Sequence, residues 1–185
     1  MNPHQSFKGY YLLDSGRLGG SFFEKAVIFL CQHDADGAFG FIVNRPSGSV
    51  LSQVMDTDLT PHTANMDLFV GGPVQPEVFS FLHADSSLIQ SNIVPGIEFS
   101  HSLETLTDIL GAFSAGAQVR AFGGYSGWGR GQLEQELEQG SWLLHQSSTE
   151  HIFSKSPSDV WAAILSEMGP RYRLLADFPD DPSRN

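Results

Sequence analysis

The chain has little cysteine, little lysine and no long apolar segment. Cys31 is the single cysteine, which excludes an internal disulfide and fits a reducing cytoplasm. There are three lysines in 185 residues and no run of basic residues. No apolar stretch approaches the ~20 residues that a membrane-spanning helix needs, and residues 1–7 have no signal-peptide pattern. We therefore expect a cytoplasmic protein that has no membrane partner.

Acidic side chains outnumber basic ones by 21 to 10, which gives a formal net charge of −11. Such a charge repels phosphates, and a DNA-binding protein is expected to cluster its Lys and Arg residues. The composition therefore argues against a nucleic-acid partner. Apolar residues make up 41% of the chain, which is enough for a core. The length predicts a single domain over 1–185, which could divide into two joined lobes near residue 86, with a frayed acidic tail at 177–185.

Short apolar runs predict strands that are joined mostly as hairpins. The runs at 26–31 and 39–43 flank turn-forming residues at 34–37, a pattern typical of a hairpin. Asn44-Arg45-Pro46 ends the second of these strands, because proline lacks the amide that a sheet needs. Further strands are predicted at 8–13, 67–70, 78–84, 97–99 and 119–122.

Helical signals become stronger towards the C-terminus. The predicted helices are 103–113 after the N-cap Ser102, 132–139 before Gly140, and 157–168 between the N-cap Ser156 and the stop signal Gly169-Pro170. A short helix at 50–55 and a polar surface loop at 56–65 separate the early strands. Hairpins followed by interspersed helices indicate an α+β fold.

The most informative segment is 123–131, which has five glycines in nine residues. Glycine lets the backbone adopt left-handed angles or approach another group closely, and Tyr125 and Trp128 provide surface to bury. We interpret this segment as a packed loop between a strand and the helix at 132–139. Many folds place a binding site at such a loop.

Common nucleotide and hydrolase motifs each fail in this segment at one residue. A phosphate-binding loop would need lysine where Arg130 stands, and a dinucleotide motif would need a small residue in place of Glu134. A serine-hydrolase elbow would need glycine where Trp128 stands. Two interpretations remain. The segment is either a tight turn whose glycines avoid strain, or an anion site at the N-terminus of the following helix.

A binding hypothesis joins this segment to two earlier turns. Arg45, beside the backbone amides of Gly71 and Gly72, could clamp an anion, although it could equally pair with a local carboxylate. The predicted function is a non-enzymatic module, without metal or cofactor, that binds a small anionic ligand or a protein partner. Its predicted ligand-binding residues are Asn44, Arg45, Gly71, Gly72, Tyr125, Ser126, Trp128 and Gln132.

A thiol-dependent enzyme or redox sensor is the alternative function. Cys31 and His33 would point to the same face of a regular strand, where an imidazolium would lower the pKa of the thiol. The simpler interpretation is a buried Cys31 and a His33 that borders the turn. Glu134, Glu136 and Glu138 on the next helix are interpreted as a solvated face rather than as a metal or acid–base site.

Several segments stand in a recognisable order along the chain. They are residues 20–33, 37–46, 71–74, 82–83, 124–128 with 131–134, and 142–143. Together they resemble the AlgH/YqgE family of bacterial proteins, over about residues 10–169. Gln32 stands where that family usually has an acid, and residues 17–20 also depart from its pattern, so a role that needs a carboxylate at position 32 does not transfer.

This resemblance implies an α+β fold with a mixed, partly barrel-like sheet and outer helices. It also implies a regulatory role in transcription, and it implies no particular reaction. Because the predicted helix at 132–139 carries three glutamates and no basic residue, we expect any regulation to be indirect.

Overall fold

The short apolar runs of the sequence build a nine-stranded sheet within the described part of the chain. The computed structural model describes residues 5–55, 59–84, 92–101, 118–146 and 148–176. Its strands are β1 (Tyr11–Asp14), β2 (Val27–Asp34), β3 (Gly37–Ile42), β4 (Pro46–Val50), β5 (Asp67–Val70), β6 (Val74–Ala84), β7 (Ile97–Ser100), β8 (Gln118–Gly129) and β9 (Trp142–His145). Its helices are α1 (Pro61–Ala64), α2 (Gln132–Glu138), α3 (Val160–Glu167) and α4 (Pro170–Ala176), with 3-10 turns at Leu51–Gln53, Thr149–Phe153 and Pro157–Asp159.

The first hairpin forms where the sequence predicts it. β2 and β3 pair antiparallel, and the amide of Asp36 donates to Oδ1 of Asp34 at 2.9 Å within the turn. Leu30 of β2 lies opposite Gly40, but Gln32 lies opposite Phe39. One extra residue therefore sits in β2 as a β-bulge, which changes the face that the following side chains occupy.

The long strand β8 connects the two parts of the sheet. Its first half pairs parallel with β5 and antiparallel with β6, and its second half pairs antiparallel with β3. The main strand order is β4-β5-β8-β3-β2-β1-β9, with β6 and β7 attached to β8. A mixed sheet that curls into a half-barrel, with a few helices outside, confirms the α+β fold.

Side chains of β1 and β2 alternate between two apolar clusters. Leu13 and Phe29 join the first cluster, which includes Ile164 of α3. Leu12 and Ile28 join the second cluster with residues of α2. Both faces of the sheet are therefore buried here, which explains the continuous apolar run at the start of β2. No helix of the described residues is long and apolar enough to cross a membrane.

Several element boundaries differ from the sequence prediction. β1 begins at Tyr11 rather than at residue 8, because Gly9 takes a left-handed turn with φ of +81°. The predicted polar loop at 56–65 contains α1, whose N-cap Thr60 accepts a bond from the amide of Thr63 at 3.3 Å. Ser156 precedes a 3-10 turn rather than α3, and its side chain makes no cap bond.

Besides α1, two edge strands and one further helix were missed. β4 is mostly polar and exposed, and β9 has four residues, so neither has a strong local pattern. The stop after α3 is present, but Pro170 immediately begins α4. The predicted helix at 103–113 and the predicted frayed tail at 177–185 lie outside the described residues.

Candidate functional site

The glycine-rich segment is a strand over most of its length, so its interpretation as a loop is wrong. β8 continues to Gly129, and the backbone of Ser126 to Gly129 pairs with β3 from Gly37 to Gly40. Two residues, Arg130 and Gly131, form the turn before α2. Pairing with a strand that is about ninety residues earlier in the chain overrides the local turn signal of the glycines.

Glycine is required where this segment meets the Gly71-Gly72 turn. A Cβ on Gly72 would lie 2.1 Å from the carbonyl carbon of Tyr125, and one on Gly71 would lie 2.3 Å from the oxygen of Gly124. The Gly71 amide donates to the oxygen of Gly123 at 2.9 Å, and the buried Ser126 hydroxyl donates to the oxygen of Gly71 at 3.2 Å. The Gly71-Gly72 turn and the glycine-rich segment therefore meet, and their amide, carbonyl and hydroxyl groups bind each other.

A cleft of about 700 Å³ opens beside this contact. We call it the aromatic cleft, because four of its lining residues are Phe, Tyr or Trp. Its apolar lining residues are Phe39, Phe41, Val74, Val78, Tyr125 and Trp128. Its polar lining residues include Gln32, Asp34, Asp36, Gln75 and His101.

One wall of the aromatic cleft is an irregular part of β6. Val74 pairs with Tyr125, and Phe79 pairs with Gly123. Four residues of β6 thus lie between pairs that are two positions apart on β8, and they bulge out of the sheet. Gln75 has φ of +48° in this bulge, and Val78 is 37% exposed. The bulge thus contributes Gln75 and Val78 to the cleft wall.

The rim of the aromatic cleft is acidic. A side-chain bond from Gln32 to Asp34, at 2.6 Å, and a second bond from the Asp36 amide lower the pKa of the Asp34 carboxyl. The carboxylate of Asp36 lies 3.3 Å from Nη2 of Arg130, and both side chains are exposed. Because carboxylates stand at this end of the cleft, a cationic or neutral group suits it better than the small anion expected from the sequence.

Asn44 and Arg45 support a neighbouring loop instead of the aromatic cleft. Asn44 accepts a bond from the Val27 amide at 2.9 Å and donates to the oxygen of Lys25 at 2.8 Å. The Arg45 guanidinium donates to the oxygens of Phe22 and Glu24, and its carbon lies 5.1 Å from the centre of the Phe22 ring.

Within the described residues, the partners of Arg45 are backbone oxygens and not the anion or the local carboxylate of the two sequence interpretations. Neither Asn44 nor Arg45 belongs to the wall of the aromatic cleft.

Cys31 and His33 are on opposite faces of β2, contrary to the sequence expectation. Cys31 lies in the first apolar cluster beside Phe29, whereas His33 stacks on Phe7 of the second cluster at 4.9 Å between ring centres. The bulge in β2 causes this, since one extra residue reverses the alternation. Burial also raises the pKa of the Cys31 thiol, which opposes its use as a nucleophile.

His33 and the glutamates of α2 are structural partners. Nδ1 of His33 accepts a bond from the Phe7 amide at 2.9 Å, so Nε2 carries the proton that is donated to Glu134 at 3.0 Å. Oε2 of Glu136 accepts bonds from both indole nitrogens, Trp128 at 2.9 Å and Trp142 at 2.7 Å. The solvated-face interpretation therefore fails for two of the three glutamates.

Gln132 also belongs to this structural network. Its Oε1 accepts a bond from the Gly129 amide at 3.1 Å, and its Nε2 donates to Oε1 of Glu136 at 3.0 Å. The side chain thus joins the end of β8 to α2 and is not part of the aromatic cleft wall. Of the eight predicted ligand-binding residues, Tyr125 and Trp128 line that cleft.

Arg120 is a candidate that the sequence reasoning missed. It is 8% exposed, and it donates from Nη1 to the oxygen of Val43 at 2.8 Å and from Nη2 to the oxygen of Ser154 at 2.7 Å. Burial lowers the pKa of its guanidinium to about 10. The sequence feature that could have identified Arg120 is its position as a charged residue between Val119 and Ala121 in an apolar strand. Across the described residues, no group of three His, Cys, Asp or Glu is placed to hold a metal ion.

Similar proteins of known sequence identify the family of this chain. The model of the AlgH-like family matches residues 11–173. A UPF0301 protein from Cytophaga hutchinsonii is 37% identical, over 96% of this chain and 98% of that protein. One from Chlamydia caviae is 34% identical, over 94% of this chain and 93% of that protein.

Two solved structures share the fold. The solution structure of the AlgH protein from Pseudomonas aeruginosa matches with a TM-score of 0.76 and 27% identity, over 96% of each chain. A protein from Corynebacterium diphtheriae matches with the same TM-score and 20% identity, over 96% of this chain and 95% of that one. From the family match and the two bacterial relatives, we conclude that this chain belongs to the AlgH-like family.

Proposed function

We propose that this protein is a non-enzymatic binding module whose site is the aromatic cleft. The observation that carries the proposal is an open cleft of about 700 Å³ with an aromatic lining and an acidic rim. Ligand sites have volumes of roughly 300–1,000 Å³ and combine apolar walls with a few polar groups. The cleft fits an apolar body that ends in a cationic or neutral group, such as an aromatic amine or the basic side chain of a protein partner.

The contacts inside the cleft favour binding over catalysis. Cys31, the nucleophile of the thiol alternative, is buried elsewhere in the first apolar cluster. His101 lines the cleft, and its Nδ1 lies 2.8 Å from the hydroxyl of Ser80. Ser80 itself is 3% exposed and does not belong to the wall. Among the described lining residues there is no Cys, Ser or Thr, so a ligand in the cleft would meet the imidazole but none of these nucleophiles in the wall.

Any regulatory role would, on this proposal, act through a ligand or a protein partner in the cytoplasm. The net charge of −11 disfavours binding to DNA, and two of the glutamates of α2 are already bound to His33 and to the two indoles. We further propose that the chain acts as one domain. β8 follows residue 86 and pairs with β3, β5 and β6, which precede it, and this pairing supports a single domain. Tight, sequence-dependent retention of DNA in a gel-shift assay at low salt would contradict the indirect role.

Two probes of opposite charge test the proposed site. Phenethylammonium and benzoate both carry a benzene ring, and tryptophan fluorescence follows their binding because Trp128, one of the three tryptophans, lies in the cleft wall. We expect saturable quenching by phenethylammonium and at least about threefold weaker binding of benzoate, because the carboxylates of the rim repel it. Equal affinity for the two probes, or the absence of saturation with phenethylammonium, would refute the proposal.

A matched pair of variants locates the binding. Val78→Asn removes an exposed apolar side chain from the cleft wall, and Val54→Asn makes the same change at a site outside the cleft, where the residue is 42% exposed. Losing about 1 kcal/mol of apolar contact should weaken phenethylammonium binding about fivefold in Val78→Asn. Val54→Asn should bind like the wild type. If both variants lose affinity equally, the ligand does not sit in the aromatic cleft.

A further inference from the structure

A second cleft lies beside Arg120, on the half of β8 that is remote from the aromatic cleft. It has a volume of about 480 Å³, and we call it the arginine cleft. Phe69 and Phe153 contribute aromatic surface to its lining, and Arg120 and Lys155 contribute positive charge. Asp67 is a carboxylate in the same wall. Among the described lining residues, two cations against one carboxylate give this cleft a positive balance in a chain whose net charge is −11.

Within the described residues, the guanidinium of Arg120 donates fewer hydrogen bonds than it has N–H groups. Its bonds within the described residues go to the backbone oxygens of Val43 and Ser154, and a guanidinium has more N–H groups than these two oxygens accept. Its carbon also lies 4.0 Å from the centre of the Phe69 ring. Asp67 attracts the charge from a distance but is not among its hydrogen-bond partners.

A buried cation without a bonded carboxylate is costly, and an anion that reaches it gains a charge-assisted bond. Burial of Arg120 also lowers the pKa of its guanidinium, in keeping with this unmet charge. Lys155 is exposed at the same cleft and can approach a second oxygen of the same anion. The aromatic rings beside these cations offer contact to an apolar group.

We propose that the arginine cleft binds a small organic anion, a carboxylate or phosphate monoester that carries an apolar group. The anionic group lies against Arg120 and Lys155, and the apolar group lies against Phe69 and Phe153. The site is separate from the aromatic cleft, so it gives the protein a second ligand of opposite charge. The sequence suggested an anion at Arg45, and this proposal has the anion bind at Arg120 instead.

The test uses NMR titration of the full chain with phenyl phosphate, benzoate and neutral benzyl alcohol. We expect saturable shifts at the Nε–H of Arg120 and at the amides of Val119 and Phe153, with affinity in the millimolar range that is usual for fragments. The better of the two anions distinguishes a phosphate site from a carboxylate site. Benzyl alcohol should bind at least about tenfold more weakly, because it cannot pair with the cations. Equal binding of benzyl alcohol would overturn the proposal.

Charge variants make the test specific. Lys155→Gln should weaken the better anion about threefold to tenfold, whereas Arg171→Gln, which removes an exposed charge from α4, should leave binding unchanged. Arg120→Met should abolish binding. Because Arg120 is buried, the melting temperature of this variant is measured to show that it is still folded. Val78→Asn should have no effect on the anion, so failure at one cleft does not imply failure at the other. Equal losses in Lys155→Gln and Arg171→Gln would show non-specific attraction and refute the site.

Discussion

Replacing Glu136 by alanine should loosen the packing of α2 against β8 and β9. Oε2 of this carboxylate accepts the indole protons of Trp128 at 2.9 Å and Trp142 at 2.7 Å, and Oε1 accepts a bond from Gln132 at 3.0 Å. The two indole rings also meet edge to face, with 6.1 Å between their centres. One side chain therefore holds together three elements, and alanine removes all of its bonds.

The magnitude follows from the two indole bonds. A hydrogen bond to a charged group contributes about 1.5–3 kcal/mol when it is well shielded from water. Both tryptophans are largely buried, at 7% and 4% exposure, but their bonds to Glu136 are only partly buried, so water can replace part of the loss. We therefore expect Glu136→Ala to lower the free energy of unfolding by about 2–4 kcal/mol. Glu136→Gln should lose about 1 kcal/mol, because an amide oxygen can still accept.

Urea denaturation measures this loss, and Glu138→Ala is the matched control. Glu138 is on the same helix and is exposed, so its replacement makes the same change of charge and should shift stability by less than about 0.5 kcal/mol. The indole N–H resonances of Trp128 and Trp142 should move in Glu136→Ala and stay in place in Glu138→Ala. Equal destabilisation by the two alanine variants would refute the reasoning, because the loss of one negative charge from α2 would then explain both results without the indole bonds.

Two other predictions concern backbone contact and pH. Gly72→Ala should cost about 3 kcal/mol or more because its Cβ would meet the backbone of Tyr125, whereas Gly129→Ala, with its nearest atom at 4.0 Å, should change stability by less than about 1 kcal/mol in the same urea assay. Similar values for both would contradict the close approach. The raised pKa of the buried Cys31 thiol keeps it protonated while the unfolded thiol ionises above pH 9.0, so stability should fall by about 1.4 kcal/mol per pH unit above that value. The difference in unfolding free energy between wild type and Cys31→Ala should change by about 1.4 kcal/mol in total from pH 8 to 10, most of it above pH 9.0, and a constant difference would refute this.

Local patterns were enough to predict several elements. The turn at 34–37, the strand Asp67–Val70 and the helix Gln132–Glu138 follow from turn residues, an apolar run and a glycine stop, and the structure confirms all three. Each depends on interactions among residues close together in the chain. β4 and β9 could not be predicted in this way, because short edge strands are held by ladder partners that are distant in sequence.

The candidate sites were less predictable than the fold. Tyr125 and Trp128 stand out as aromatic residues among glycines, and both line the aromatic cleft. Asn44 and Arg45 stand out equally, yet they bind the backbone of a nearby loop. Arg120 was passed over, although an arginine inside an apolar strand is an unusual placement. Residue type alone does not show whether a polar group faces a cleft or a neighbouring carbonyl.

The sequence by itself determined the charge of −11, the early hairpin, the apolar faces and a glycine-rich segment whose backbone is free to approach another group closely. Tertiary structure alone decided which partners those elements meet. A β-bulge separates Cys31 from His33, and His33 then meets Glu134, which is 101 positions away in the chain. Arg120 meets Val43 across 77 positions. The physical reason is that strand register sets such contacts, while a glutamate or an arginine has the same local preference whether it ends in water or against a distant partner.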